Sequence, residues 1–213
     1  MNATPGFTLV HLDDYLAVVD KQAGLLTVPA YGDPCLVDLL EAQLDRQCFG
    51  RHRLAVVHRL DRQTSGLLVF ARAPQIAAHL AKQFACHTTE REYLAVVGGC
   101  LNKDSDTLSS PVLGKRAVTN YRTVSTANNT TTVTIRLETG RRNQIRRHFA
   151  EIGHPVLGDT RFEPAAAAHH LWPHTRLALH ARTLGFVHPV TKQTVRFEAA
   201  LPDPFAQFTC INR

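Results

Sequence analysis

Paired cysteines, long apolar runs and lysine are what this chain is short of, and each shortage removes a class of protein. The five cysteines, Cys35, Cys48, Cys86, Cys100 and Cys210, are odd in number and scattered, with no C-x-x-C pair. That argues against a disulfide framework or a zinc knuckle and predicts reduced thiols. No stretch approaches the ~18 consecutive apolar residues of a spanning helix, and no basic segment leads into an apolar run at the N-terminus. The protein is expected to be soluble and cytoplasmic. Dinucleotide fingerprint, Walker loop, internal repeats and low-complexity segments are all missing from the sequence. Lysine contributes only 5 of the 24 basic residues and arginine the other 19. Arginine predominance favours bidentate, planar recognition of phosphates or bases.

What is there begins with an uneven charge. The net +6 is the sum of −2 over residues 1–108 and +8 over 109–213, so a polyanion is expected to meet the second half. At 213 residues the chain supports one well-buried core and is too short for two ordinary domains with linkers; it is read as a single catalytic-size domain.

Hydrophobic periodicity lays out the elements. Residues 7–12 and 15–20 form an opening hairpin, followed by a Gly- and Pro-punctuated loop over 21–29. Asp33-Pro34 then suits the start of a helix over 34–46 with Leu36, Leu39, Leu40 and Leu44 inward. Short strands at 54–57 and 67–71 flank a polar loop, and Ile76, Leu80 and Phe84 give a helix over 74–86 its apolar stripe. A strand is expected at 91–99 and an irregular surface connection at 102–116. Strands at 118–125 and 130–137 turn at Asn128-Asn129 and lead to a helix over 142–152. Three further strands fall at 177–181, 184–187 and 195–199. On the 142–152 helix, Arg146 falls at the edge of the apolar face and Arg147 on the opposite, wet face.

Chemistry concentrates in the polar loop His58-Arg59-Leu60-Asp61-Arg62-Gln63-Thr64-Ser65-Gly66. One acid, Asp61, lies among arginines and is followed by residues suited to a tight turn. Taken alone, this is also the pattern of a surface loop with one exposed ion pair. Tyr93 alone reads equally as an ordinary strand tyrosine with its hydroxyl at the surface. His169, His170 and His174 invite a metal reading, but Pro173 interrupts the helix an i, i+4 pair needs, and no acidic or cysteine partner lies close in sequence.

Context decides between these readings. HRLDRQTSG, followed by an apolar strand, closely resembles the catalytic-aspartate motif of the RluA-like family of RNA pseudouridine synthases. KQAGLL resembles the family's Lys-Pro-Ala-Gly-Leu segment, with Gln22 where proline is usual. REYLAVVGG resembles its second motif, and TGRRNQIRRH its third, with Asn143 where histidine is usual. GHPVLGD and Leu177–Ala181 resemble the segments that follow. The likeness runs from about residue 10 to 205.

The resemblance implies an α+β fold with a mixed, largely antiparallel central sheet, flanking helices and no N-terminal S4 domain; the strands well outnumber the helices in the reading above, which agrees. It implies an isomerase that converts specific uridines of structured RNA, tRNA or rRNA, to pseudouridine, with no redox cofactor and no metal. Asp61 is implied as the essential carboxylate, nucleophile or base, with Arg146 as its partner, and Tyr93 as the group that stacks on the uracil. Arg59 would fill the space left by the flipped nucleotide, and Leu179 would line the base pocket. Arg62, Arg141 and Arg147 complete the expected RNA contacts. No obligate protein partner is implied, so a monomer is expected. The competing classes are a noncatalytic RNA-binding module and a nuclease using His58 with Asp61.

Overall fold

The computed structural model describes residues 6–30, 32–48, 54–172 and 176–208. The chain divides into two compact units, Met1–Glu90 with Thr183–Ala199, and Arg91–Arg182 with Ala200–Arg213.

In the first unit, β1 (Phe7–Leu12) and β2 (Leu16–Lys21) form the expected hairpin, and β2 pairs antiparallel with β4 (Ser65–Ala71), Leu16 opposite Ala71 and Lys21 opposite Gly66. A two-residue strand, β3 (Ala55–Val56), pairs with the far end of β4. Every residue of β4 is buried, which explains why SGLLVFA reads as a continuous apolar run rather than an alternation. Helix α2 (Pro74–Ala85) packs on β4 through Ile76 and Leu80, as its spacing predicts. Helix α1 (Leu36–Cys48) buries Leu36, Leu40 and Leu44 completely, with Leu39 half-buried. It starts two residues later than expected, because the Asp33 carboxylate receives Arg62 instead of capping the helix.

The second unit carries β5 (Glu90–Gly98), β6 (Ser105–Leu108), β7 (Thr119–Ala127) and β8 (Thr130–Leu137), paired antiparallel in the order β5-β8-β7-β6. Strand β6 lies where only an irregular connection was expected. Its polar sequence SDTL shows no apolar pattern, yet an edge strand needs only its backbone to pair with β7. Helix α3 (Gln144–Glu151) also starts two residues late, since Asn143 is left-handed with φ 56° and closes off helical geometry before it. A short helix, α4 (Pro164–Ala167), follows. Leu94, Val96, Val133, Ile135, Phe149 and Trp172 make the core.

Residues 177–181 and 184–187 form one strand, β9 (Leu179–Val187), and its later residues, from Thr183, pair with β10 (Thr194–Glu198) within the first unit. The fold is α+β with a mostly antiparallel sheet. Among the described residues no helix is long and apolar enough to cross a membrane.

The β7–β8 hairpin turns at Asn128 and Asn129, both left-handed at φ 53° and 55°, the two-residue geometry whose twist suits a hairpin. Asn tolerates this conformation and a β-branched residue does not. Asn129→Val is expected to lower unfolding stability by roughly 1–2 kcal/mol, and Asn129→Gly to change it by less than about 0.5 kcal/mol. Urea denaturation checks both, and equal midpoints for Val and Gly would contradict the turn assignment.

Candidate active site

The acid loop is held by a second loop beneath it. Lys21 is fully buried, and its ammonium donates to the backbone carbonyls of Gln22, Leu25 and Arg62 at 2.8, 2.9 and 3.1 Å. The Arg62 carbonyl also accepts the Gly24 N–H at 2.8 Å, while the Arg62 Nε donates back to the Gly24 carbonyl at 2.9 Å and its guanidinium pairs with Asp33 at 3.0 Å. Thr27 clamps Leu60 from both sides: its Oγ1 donates to the Leu60 carbonyl at 2.9 Å and accepts the Leu60 N–H at 3.3 Å. Asp61 therefore sits between two residues whose backbones are pinned. The Asp61 carbonyl accepts the Thr64 N–H at 3.1 Å, closing a turn at Arg62-Gln63 rather than at Thr64-Ser65-Gly66, since Ser65 and Gly66 already belong to β4. Asp61 is half-buried and Arg59 exposed.

His58 has a different task. Its ring stacks on Phe84 at 4.3 Å between centroids, and Nε2 accepts the Val69 N–H of β4 at 3.1 Å. A lone pair occupied by the sheet is not available as a general base, which weighs against the nuclease reading. Arg62 likewise spends its guanidinium on Gly24 and Asp33 in this loop-to-loop clamp.

In the second unit the TGRRNQIRRH segment folds around Gln144. This buried amide meets four partners: Oε1 accepts from Thr139 Oγ1 at 2.8 Å and the Arg141 N–H at 3.0 Å, and Nε2 donates to the Val118 carbonyl at 3.0 Å and Thr119 Oγ1 at 2.9 Å. Thr119 Oγ1 in turn lies 2.9 Å from His148 Nδ1, whose Nε2 faces the Ser110 carbonyl at 2.9 Å. Those partners assign the proton of a neutral His148 to Nε2.

Arg146 forms a fork with Asp159, Nε to Oδ2 at 2.6 Å and the second nitrogen to Oδ1 at 2.8 Å, while its third nitrogen donates to Asn143 Oδ1 at 3.2 Å. Asp159 is fully buried. Burial alone would push its carboxyl up, but Arg146 and the N–H groups of Arg161 and Phe162 outweigh that and hold it below the ordinary carboxylate range. The loop around it tolerates no side chain at Gly158, where a Cβ would stand 2.3 Å from the Arg176 carbonyl.

The other expected residues of this unit are distributed around that centre. Tyr93 lies on β5 opposite Ile135, half-buried against the core. Leu179 opens β9 and is 4% exposed. Arg141 is exposed, its Nε donating to the Arg116 carbonyl at 3.0 Å. Arg147 does not lie on a wet face as helix phase suggested: it is half-buried, with its guanidinium 5.0 Å from the centre of the Phe162 ring. The helix begins later than expected, and the loop after it returns Phe162 over that face. In the histidine cluster, both ring nitrogens of His169 are engaged, Nδ1 accepting the Leu171 N–H at 3.2 Å and Nε2 facing the Asn128 carbonyl at 2.9 Å. His174 lies outside the described residues.

Comparison with known proteins follows the same residues. The family model for RNA pseudouridylate synthase matches residues 15–151, a span that takes in the Asp61 loop, Tyr93 and the Arg146 helix. The chain belongs to this family. It is 38% identical to the ribosomal large subunit pseudouridine synthase D of Zymomonas mobilis, over 91% of this chain and 69% of that protein. It is 35% identical to the dual-specificity RNA pseudouridine synthase RluA of Pasteurella multocida, over 92% of this chain and 93% of that one. The human RNA pseudouridylate synthase domain containing 4 shares the fold, with a TM-score of 0.76 at 22% identity over 92% of this chain and 89% of its own.

Sequence reasoning missed Lys21, Thr27, Gln144 and Asp159 as parts of this machinery. The signal was present for three of them, since the family-like KQAGLL, TGRRNQIRRH and GHPVLGD segments carry Lys21, Gln144 and Asp159. Nothing local marks Thr27, whose partner Leu60 lies 33 residues away, or the pairing of Gln144 with Val118 and Thr119.

Two outcomes are expected. Lys21→Met leaves three carbonyls without their cationic donor and should cost roughly 3 kcal/mol in denaturant unfolding; an unchanged midpoint would show that the clamp carries no energy. The second concerns His180, beside Leu179 on β9. Burial, aided by Arg176 and Arg182, pushes its imidazole down from 6.5 to about 3. The unfolded chain then binds a proton that the folded protein refuses. Stability from this group is whole above about pH 6.5 and is lost toward pH 3, at about 1.4 kcal/mol per pH unit. Urea midpoints measured from pH 7 to 4 should fall for the parent and fall less steeply for His180→Asn.

Proposed function

We propose that this chain is an RNA pseudouridine synthase, an isomerase that converts specific uridines of structured RNA to pseudouridine in the cytoplasm, working as a monomer with both units forming one catalytic domain. The observation that carries the reading is the family match over residues 15–151, because it spans the acid loop, the tyrosine strand and the arginine helix in one order. Relatives are named for the ribosomal large subunit, for tRNA and for dual specificity on RNA, so the substrate class is structured RNA with either source open to the assay.

The reaction breaks the C1′–N1 bond of uridine and forms C1′–C5; a proton leaves C5 and N1 gains one. Atoms balance without oxidant, water or metal, so side chains suffice. The target base must leave its stack, at a cost of roughly a few kcal/mol, and Arg59, exposed beside Asp61, suits the vacated space. Asp61 is the carboxylate that acts at the sugar or base. In this reading, which rests on the resemblance of the motifs, Arg146 is its cationic partner, Tyr93 the ring stacked on uracil and the relay for the C5 proton, and Leu179 the pocket wall. The Arg146–Asp159 fork supports the arginine's part, since a guanidinium anchored on one edge is already oriented for a second acceptor. Arg141 and Arg147 supply charge toward the RNA backbone, while Arg62 acts through the clamp on Gly24 and Asp33.

Base-resolution pseudouridine mapping of cellular RNA with and without this protein should reveal lost sites and so name the RNA. On that RNA, Asp61→Asn should bind within a few-fold of the parent and form no detectable pseudouridine in single-turnover assays. Near-native turnover by Asp61→Asn would end the mechanism. Intact RNA bound by the parent, with no pseudouridine formed, would favour the noncatalytic module.

A further inference from the structure

We infer that the second unit holds a subsite for one further nucleotide, in a cavity of about 420 Å³ between the Pro111-Val112 segment, helix α3 and the loop that carries Phe162. The volume falls within the roughly 300–1,000 Å³ typical of small-molecule sites. This inference rests on the RNA reading above, since the nucleotide it takes is one of the substrate RNA outside the reacting uridine.

Three observations define the ligand. The first is a preformed cationic wall. Arg147 and Arg161 both line the cavity, and their guanidinium carbons lie 5.0 and 5.4 Å from the centre of the Phe162 ring. A guanidinium laid on an aromatic face is held in orientation, and its remaining surface can meet a base plane or phosphate oxygens. The second is an unmet donor. Arg147 Nε is buried and, among the described residues, has no acceptor within hydrogen-bonding distance.

The third observation is that Glu151 and Glu163 line the same cavity. Two carboxylates disfavour a bare anion, but they accept N–H groups. A nucleotide supplies both halves, phosphate oxygens for the arginines and base N–H groups for a glutamate. Guanine presents two adjacent donors on one edge, which fits a carboxylate fork best. The floor beside them, Val112 and Ala150, is apolar and suits a base face.

The test is a titration of the full chain with guanosine 5′-monophosphate, followed by NMR amide shifts, with guanosine and inorganic phosphate as separate arms. We expect the monophosphate to bind at least fivefold tighter than either fragment, with shifts concentrated at residues 111–112 and 147–163. Arg161→Ala removes one exposed guanidinium and should weaken the monophosphate at least fivefold. Ala150→Phe fills the cavity from the helix and should abolish the shifts. Because Arg161 is exposed, its variant remains informative if Ala150→Phe fails to fold. Inorganic phosphate binding as tightly as the nucleotide would overturn the subsite in favour of a simple anion site, and so would nucleotide shifts unaltered in Arg161→Ala. The titration needs no turnover. Absence of pseudouridine formation with nucleotide still bound here would therefore sink the proposed function and leave the subsite standing, whereas full activity without nucleotide binding would sink the subsite alone.

Discussion

A buried ammonium is the constraint on which the acid loop depends. Lys21 ends β2 with no exposed surface, and three carbonyls, one of them from Arg62, surround its nitrogen. Desolvating a cation is costly unless its donors are met, so the chain can bury Lys21 only if both loops adopt the conformations that present those carbonyls. The same bonds leave Asp61 between pinned neighbours. In the proposed reaction Asp61 meets one atom of the substrate, and pinned neighbours supply the precision that such a contact requires.

The Gln144 and Arg146 arrangement works by the same logic with different chemistry. A neutral amide with four partners locks residues 118–119 to the turn before α3, and the helix then starts at Gln144 because Asn143 is left-handed. Asn143 in place of the family's usual histidine becomes intelligible here. Asparagine tolerates the left-handed region, and its Oδ1 receives Arg146 at 3.2 Å. Orientation of Arg146 is thus set by Asp159 on one side and by its own helix start on the other.

The arginine-rich composition resolves into separate uses. Arg62 and Arg146 spend donors on neighbouring loops, Arg136 pairs with Glu92 on the adjacent strand and Arg196 with Glu90, and Arg147 and Arg161 rest on Phe162 beside a cavity. Exposed pairs such as Arg136–Glu92 add little to stability. A count of positive charge in the second half therefore overstates what is left for an RNA. The part that remains is placed by aromatic and backbone contacts rather than by charge.

Sequence alone determined the strands that bury two faces or alternate, the helix stripes, the Asn128-Asn129 turn and the order of the family motifs, because each depends on residues close in the chain. The α+β class and the family itself were legible for that reason. The edge strand β6 was not, since its pairing uses backbone groups common to all residues and leaves no mark on side-chain pattern. Helix starts were misplaced where a long-range partner overrode a local signal: Arg62 took Asp33, and the left-handed Asn143 delayed α3. Thr27, Gln144 and the return of Phe162 over Arg147 were decided only in three dimensions. Their energies come from groups tens of residues apart brought out of water together, and periodicity records a residue's face but not the partner that meets it.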